Sequence, residues 1–157
     1  MAEWTSFAVQ TVNPGEAILF TDNAVRCLKG LILHREDSGT FLIKGTQNCV
    51  APRRCACMGY PSVNYMVDFG ANIAIPAGGT VEPISVAFSL DGTTLPETIM
   101  TVTPAAVEEF FNVSRAANVE VWKNCCQTFS IRNIGVQAIL MQNANLIFDR
   151  PDLAMTR

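Results

Sequence analysis

The stretch VNYMVDFGANIAI, residues 63–75, alternates apolar side chains with other side chains at a period of two. Every odd-numbered position is apolar, whereas the polar Asn64, Asp68 and Asn72 fall on even-numbered positions. Successive side chains of a β-strand point to opposite faces, so this pattern predicts a long strand with one buried face. The turn-forming sequence PAGG at residues 76–79 ends the predicted strand.

The same alternation resumes at residues 84–90 and stops at Asp91-Gly92. Asp-Gly is a strong signal for a two-residue hairpin turn, because Gly adopts a positive φ without steric cost. Eight further short strands are predicted at residues 17–21, 30–34, 40–44, 98–102, 119–122, 128–132, 136–142 and 145–148. The number and spacing of these segments predict an all-β fold, a jelly-roll β-sandwich of about eight to ten antiparallel strands.

The chain shows no linker, repeat or low-complexity tract, so residues 1–157 are predicted to form one domain. Residues 1–12 are expected to be an N-terminal arm, and the polar residues 149–157 a C-terminal tail at the surface. At residues 104–111 a Pro followed by Ala and Glu favours one or two helical turns. A strand that includes residues 107–113 is the alternative for that segment.

Charged residues make up only 16% of the chain and hydrophobic residues 49%, with a formal net charge of −3. Soluble domains average about 25% charged residues, so part of this surface is expected to be buried against copies of the chain. Because the net charge is negative, the chain has no positively charged surface to attract phosphate groups. The adjacent pair Arg53-Arg54 is interpreted as part of a solvated loop. We therefore expect no nucleic-acid partner.

The N-terminal residues 1–16 include Glu3 and no basic segment, so they do not resemble a standard secretory signal. No apolar run reaches the roughly 18 to 20 residues that span a bilayer. We expect no membrane span, and a chain made in the cytosol or trimmed after synthesis.

His34 is the single histidine, and a Ser-His-Asp or Cys-His catalytic set would have to use it. Its position between the apolar residues 31–33 and Arg35 favours an ordinary residue at a strand edge. Glu108 and Glu109 are adjacent, so their side chains diverge and do not face one substrate. A metal enzyme of the cupin type would need several histidines. We therefore expect no catalytic residue, no cofactor and no enzymatic activity.

The cysteines admit three interpretations, which the sequence leaves open. The possible disulfide residues are Cys27, Cys49, Cys55, Cys57, Cys125 and Cys126. In an oxidising setting they would form disulfides, with the adjacent residues 125 and 126 bonded to different partners. The weak candidates for thiolate ligands of a structural zinc ion are Cys49, Cys55, Cys57, Cys125 and Cys126, whose spacing does not match the usual C-x₂-C motif. Reduced thiols packed as small hydrophobes are the third interpretation.

A carbohydrate- or receptor-binding module is the alternative function, and it would need a shallow site with aromatic and amide side chains. Trp4, Trp122, Asn124 and Gln127 are the residues of those types considered for it.

Several segments resemble the strands of tumour necrosis factor-like and complement-globular-head-like jelly rolls. They are residues 13–16, 39–41, 65–74 and 143–148, and the resemblance spans roughly residues 12–148. The PAAVEE segment at residues 104–109 is similar to one found in small proteins of gut Firmicutes and the phages that infect gut bacteria.

The resemblance implies a ten-stranded sandwich that is trimeric about a threefold axis and serves display and binding. It implies a structural protein on a virion or a bacterial cell surface, such as a phage capsid decoration or head-fibre-type protein. No collagen-like or coiled-coil stalk precedes the domain, and residues 49–61 look inserted, which favours docking on a capsid or surface lattice. A glycan or host receptor is the other expected partner. The candidates for the trimer interface are Tyr65, Phe69, Phe110, Phe111 and Phe148.

Overall fold

The computed structural model describes residues 1–26, 30–45, 62–122 and 126–151. In these ranges two antiparallel sheets form a β-sandwich. The strands are β1 (Ala2–Ser6), β2 (Gln10–Val12), β3 (Asp22–Val25), β4 (Ile32–Arg35), β5 (Thr40–Lys44), β6 (Ser62–Ala74), β7 (Ile84–Leu90), β8 (Thr93–Thr94), β9 (Met100–Val102), β10 (Phe111–Trp122), β11 (Cys126–Asn133) and β12 (Ile139–Asp149). The predicted all-β fold class is confirmed.

The first sheet has the order β10, β6, β12, β1, β3, with β2 paired to β12. The second sheet has the order β4, β5, β11, β7, β8, with β9 paired to β7. Strands that are distant in sequence are therefore neighbours in space, as β1 and β12 show. This crossing of connections between two packed sheets is the jelly-roll arrangement.

The strand that decides the fold is β6, and it follows the predicted alternation closely. Its odd-numbered residues are buried and its even-numbered residues up to position 72 are partly or fully exposed. It pairs with β10 along its whole length, from Ser62 opposite Trp122 to Ile73 opposite Phe111. The Asp91-Gly92 hairpin is also confirmed, because φ is 50° at Asp91 and 82° at Gly92, as a type I′ turn requires.

The predicted strand at residues 17–21 is wrong, although its alternation of buried and exposed residues is right. Ile18 and Phe20 are buried and Leu19 is exposed, but only Ala17 makes a β-bridge, to Arg132. The side chain of Gln10 replaces a strand partner here, since its amide accepts from the Leu19 N–H and donates to the Leu19 carbonyl, both at 2.9 Å. Side-chain bonds of this kind satisfy the backbone without a ladder.

The expected N-terminal arm at residues 1–12 is also wrong, because β1 lies inside the first sheet between β12 and β3. Trp4 on this strand is only 3% exposed and belongs to the core.

The predicted helical turns at residues 104–111 are absent from that described segment, where Glu108 instead adopts a φ of 59°. At the other end, Arg150 of the expected surface tail is buried against the ring of Tyr65, 5.3 Å from its centroid.

The two strands predicted at residues 136–142 and 145–148 form one strand, β12. The register of β12 against β6 shifts between Gln142 and Asn145, and Asn143 adopts a φ of 53° there. Such a bulge moves the buried positions from odd to even residue numbers within one strand. The sequence pattern changes parity at that point, which is why it predicts two strands.

Aromatic side chains from both sheets meet in the core. Phe41 of β5 lies with its ring centroid 5.0 Å from Trp4 and 5.4 Å from Phe148, both in the first sheet. Phe129 of β11 packs edge to face on Phe148 at 5.2 Å and on Phe88 at 5.3 Å. Edge-to-face and tilted pairs let many rings share one interior.

Candidate functional site

A cleft of about 370 Å³ opens between the two sheets where their edge strands β3 and β4 come together. Trp4 and Ile32 line its inner part, where both side chains are buried. Thr21, Asn23 and Arg26 line its rim and are exposed to solvent. The cleft therefore joins an apolar interior to a polar rim, as ligand-binding pockets do.

His34 is held in the cleft by the aromatic core. Its imidazole stacks on Phe41 with a centroid distance of 4.4 Å and an interplanar angle of 16°. The indole of Trp4 lies 6.0 Å from it on the first sheet. Because Phe41 and Trp4 are themselves buried, the position of the half-buried imidazole is fixed by packing.

Arg26 is the charged side chain at the rim of the cleft among the described residues that line it. Arg26 makes no ion pair with any described residue, and no Asp or Glu of the described chain lines the cleft. The neighbouring Asp22 accepts a hydrogen bond from the Thr21 hydroxyl at 2.8 Å. Arg26 and the Asp22 carboxylate therefore place charges of opposite sign near the rim of the cleft.

A second feature is the outer face of the first sheet, which we define as the even-numbered residues 62–72 of β6 and 112–122 of β10 with Glu3 and Ile147 beside them. Its charged side chains are Asp68, Glu120 and Glu3, with Asp149 opposite Met66 at its border, and none of these residues is a Lys or Arg. Most of its other residues are small or amide-bearing, and Asn112 donates to Asn72 at 3.2 Å. The face is acidic at a few points and otherwise uncharged.

Two apolar side chains are strongly exposed on this outer face. Met66 on β6 is 42% exposed and Trp122 at the end of β10 is 53% exposed. Side chains at the centre of the face are mostly small, since Gly70 pairs with Ser114 and Asp68 pairs with Ala116. A weakly charged surface with small residues and exposed apolar groups is suited to burial against another protein surface.

Of the described residues considered for a carbohydrate site, Trp4 does not share a surface with Trp122. Trp4 is in the core, while the exposed indole of Trp122 is on the outer face of the first sheet. Gln127 is nearly buried, and its amide donates to Asp91 at 2.9 Å and accepts from the Trp122 N–H at 3.3 Å. Asn124 lies outside the described residues.

Three of the residues predicted to lie at a trimer interface are buried inside the single chain. Tyr65, Phe69 and Phe148 are in the core of the single chain, so their side chains do not reach a second copy. Edge-to-face packing accommodates the rings of Phe69 and Phe148 inside the core. Phe110 and Phe111 are half-buried at the start of β10 and remain candidates.

The cysteine interpretations stay open. Cys126 is exposed at the start of β11. The other five residues, Cys27, Cys49, Cys55, Cys57 and Cys125, lie outside the described residues, as do Arg53 and Arg54. Within the described part of the chain no three His, Cys, Asp or Glu side chains are grouped to hold a metal ion. No helix in that part has the length and apolar character to cross a bilayer.

Comparisons with known proteins identify the fold. No protein-family model matches the sequence, and no curated protein matches it. Among solved structures, the chain is similar to the globular domain of zebrafish complement 1qA protein, with a TM-score of 0.51 and 7% sequence identity. The likeness covers 93% of this chain and 94% of that chain.

The fold is therefore a jelly roll like that of the complement 1q globular domain. The resemblance of the sequence to complement-globular-head-like proteins is confirmed at the level of the fold. At 7% identity the comparison shows the fold alone.

Proposed function

We propose that this protein is a non-enzymatic structural or display protein that works as a homotrimer. The observation that supports the proposal is the outer face of the first sheet, which is weakly charged and carries small residues beside exposed apolar side chains. Its exposed Met66 and the small residues Gly70, Ser114 and Ala116 allow close approach of a second protein surface. Only 16% of the residues are charged, and this low content favours a second copy of the chain as the surface that covers the face.

The acidic character of this face favours a threefold over a twofold assembly. A twofold interface sets the same patch against itself, so the acidic patch that includes Asp68 and Glu120 would face an identical acidic patch. Like charges placed together in an interface are unfavourable. In a cyclic trimer each face meets a different surface of its neighbour, and the edge strand β10 carries an exposed cation, Arg115, whose guanidinium donates to the Glu97 carbonyl.

The setting proposed is a virion or a bacterial cell surface, with a phage capsid decoration or head-fibre-type protein as the leading case. This part rests on the resemblance of residues 104–109 to small proteins of gut Firmicutes and their phages. The non-enzymatic part is supported by the packing of His34 between aromatic rings, with no carboxylate among the described residues that line its cleft.

Met66→Glu is expected to convert the trimer into a monomer. The substitution removes an exposed apolar side chain from the face and adds a charge beside Asp68 and Glu120, where the face is already acidic. The matched control is Val136→Glu, at a residue that is 84% exposed in the turn between β11 and β12. Light scattering behind a sizing column measures both masses. Equal masses for the two variants would contradict the assignment of this face.

A second candidate function is a carbohydrate- or receptor-binding module on the same fold. The cleft between β3 and β4 favours it, because it combines a preformed aromatic interior with polar groups at the rim. The two functions are compatible, since display proteins present binding sites in several copies.

A further inference from the structure

We propose that one end of the sandwich is a docking surface for a cationic, aliphatic segment of a partner protein. This end, which we call the tip, consists of the turns at residues 13–16, 76–83, 103–109 and 134–138. The N-terminus lies at the other end, where the amino group of Met1 pairs with Asp149 at 3.2 Å. The inference goes beyond the proposed homotrimer, because the tip shares no residue with the outer face of the first sheet.

The strand pairing brings the four turns of the tip together. The strand ends that border these turns are paired with one another: Val12 with Ile139, Ala74 with Leu140, Ile73 with Phe111, Ile84 with Val102 and Val86 with Asn133. Segments that are far apart in the sequence therefore form one surface.

Hydrogen bonds join the turns to each other. The Gln137 amide accepts from the Thr80 N–H at 3.0 Å and donates to the Thr80 carbonyl at 2.8 Å. The Glu108 N–H donates to the carbonyl of Ile75 at 2.7 Å. The turns at residues 76–83, 103–109 and 134–138 are thus held at fixed positions relative to one another.

The turn at residues 13–16 is bound to the same structure through Asn133. The Gly15 N–H donates to the Asn133 carbonyl at 2.8 Å, and the Asn133 amide donates to the carbonyl of Gln137 at 2.8 Å. Because the tip is ordered before a partner arrives, binding costs little loss of backbone freedom.

The tip exposes branched apolar side chains. Four valines are exposed among the described residues, and three of them lie here. Val136 is 84% exposed, Val81 is 51% exposed and Val107 is 36% exposed. Val81 follows Thr80 and Val136 precedes Gln137, so the bonds between Thr80 and Gln137 place these two valines on adjoining turns. Grouped apolar side chains at a surface indicate a contact with another molecule.

The charge of the tip is negative. It carries four carboxylates and no Lys, Arg or His; the acidic residues are Glu16, Glu82, Glu108 and Glu109. Arg132 borders the tip, but its guanidinium already donates to the Gly15 carbonyl at 3.1 Å and to the Ser130 hydroxyl at 3.0 Å. A surface with this charge attracts cations and repels nucleic acid and anionic lipid.

The arrangement of these charges favours a protein partner over a metal ion. No three His, Cys, Asp or Glu side chains of the described chain are grouped to hold a metal. Glutamates instead follow valines directly, at Val81-Glu82 and at Val107-Glu108. A partner segment that alternates Lys or Arg with aliphatic residues complements both the charge and the apolar groups.

The test is a titration of the full chain, monitored by amide NMR shifts, with short synthetic peptides. The probe alternates lysine and valine, and the two comparison peptides of equal length alternate lysine with serine and glutamate with valine. We expect saturable shifts in the tip with the lysine–valine peptide and at least about tenfold weaker binding of the other two.

Variants assign the binding to the tip. Val136→Ser is expected to weaken binding of the lysine–valine peptide about fivefold to tenfold. Its matched control is Val9→Ser, at a valine that is 55% exposed outside the tip and should bind as the natural protein does. Glu109→Gln is expected to weaken binding about threefold, whereas Glu97→Gln, at an exposed residue outside the tip, should not.

The other results would overturn the proposal. Equal binding of the lysine–serine peptide would remove the role of the valines, and equal binding of the glutamate–valine peptide would remove the role of the charge. Shifts outside the tip, or equal losses in Val136→Ser and Val9→Ser, would overturn the site. Calcium chloride alone giving saturable shifts at the same residues would favour a metal ion, and no binding of any peptide would overturn the docking surface. The native mass of Val136→Ser, measured separately, should equal that of the natural protein, so failure of the docking surface is distinguishable from failure of the trimer.

Discussion

Phe41→Ala is expected to lower the free energy of unfolding by about 3–5 kcal/mol, the usual cost of removing a fully buried phenyl ring. Phe41 is one of the rings that join the two sheets, since it contacts Trp4 at 5.0 Å and Phe148 at 5.4 Å. It also contacts Phe20 at 5.6 Å and stacks on His34 at 4.4 Å. Its removal leaves a cavity bordered by rigid rings, which close poorly around an empty volume.

The control for this prediction is Phe7→Ala, which removes the same side chain from a residue that is 68% exposed. We expect the control to change the free energy of unfolding by no more than about 0.5 kcal/mol. Denaturant unfolding at one fixed protein concentration measures both variants, because an assembly makes stability depend on concentration. A cost for Phe41→Ala no larger than that for Phe7→Ala would show that Phe41 does not hold the sheets together.

Asn133→Ala is expected to lower the free energy of unfolding by about 3 kcal/mol, because it removes three hydrogen bonds in a buried place. The Asn133 amide donates to the carbonyl of Val12 at 2.9 Å and to that of Gln137 at 2.8 Å. Its side-chain oxygen accepts from the Gly135 N–H at 2.9 Å. This one side chain therefore ties β2 to the connection between β11 and β12.

Asn133→Asp tests the hydrogen bonds apart from the packing. The aspartate side chain has the shape of the asparagine side chain but lacks its two N–H donors. It should be destabilising as well, whereas Asn23→Ala, at an exposed residue of β3, should change stability by no more than about 0.5 kcal/mol. Thermal and denaturant unfolding of the three variants give the comparison. A neutral Asn133→Ala would mean that the three backbone groups find other partners.

The sequence predicts the long strands and tight turns well because their signals are local. The alternation in β6 and the Asp-Gly turn each need only neighbouring residues to be interpreted. β1 gives a weak signal, since its inward residues include Ser6 as well as Trp4. The segment at residues 17–21 has the alternation of a strand, but the Gln10 side chain takes the place of the neighbouring strand.

The cleft could not be predicted from the sequence because it depends on which strands become the edges of the two sheets. His34 lies on β4, which is an edge strand of the second sheet. Its meeting with Trp4 and Arg26 follows from the pairing of β1 with β3, which no local pattern encodes. The burial of Tyr65 and Phe148 could not be predicted from the sequence either, because it follows from the three-dimensional packing of both sheets.

The native mass of the unmodified protein in solution tests the central claim most directly. Light scattering behind a sizing column should give three times the chain mass of 17.1 kDa, and the mass should persist on dilution through the micromolar range. That result would support burial of the outer face of the first sheet in a threefold assembly. A mass of one chain at every concentration would contradict the homotrimer, and a mass of two chains would contradict the threefold arrangement.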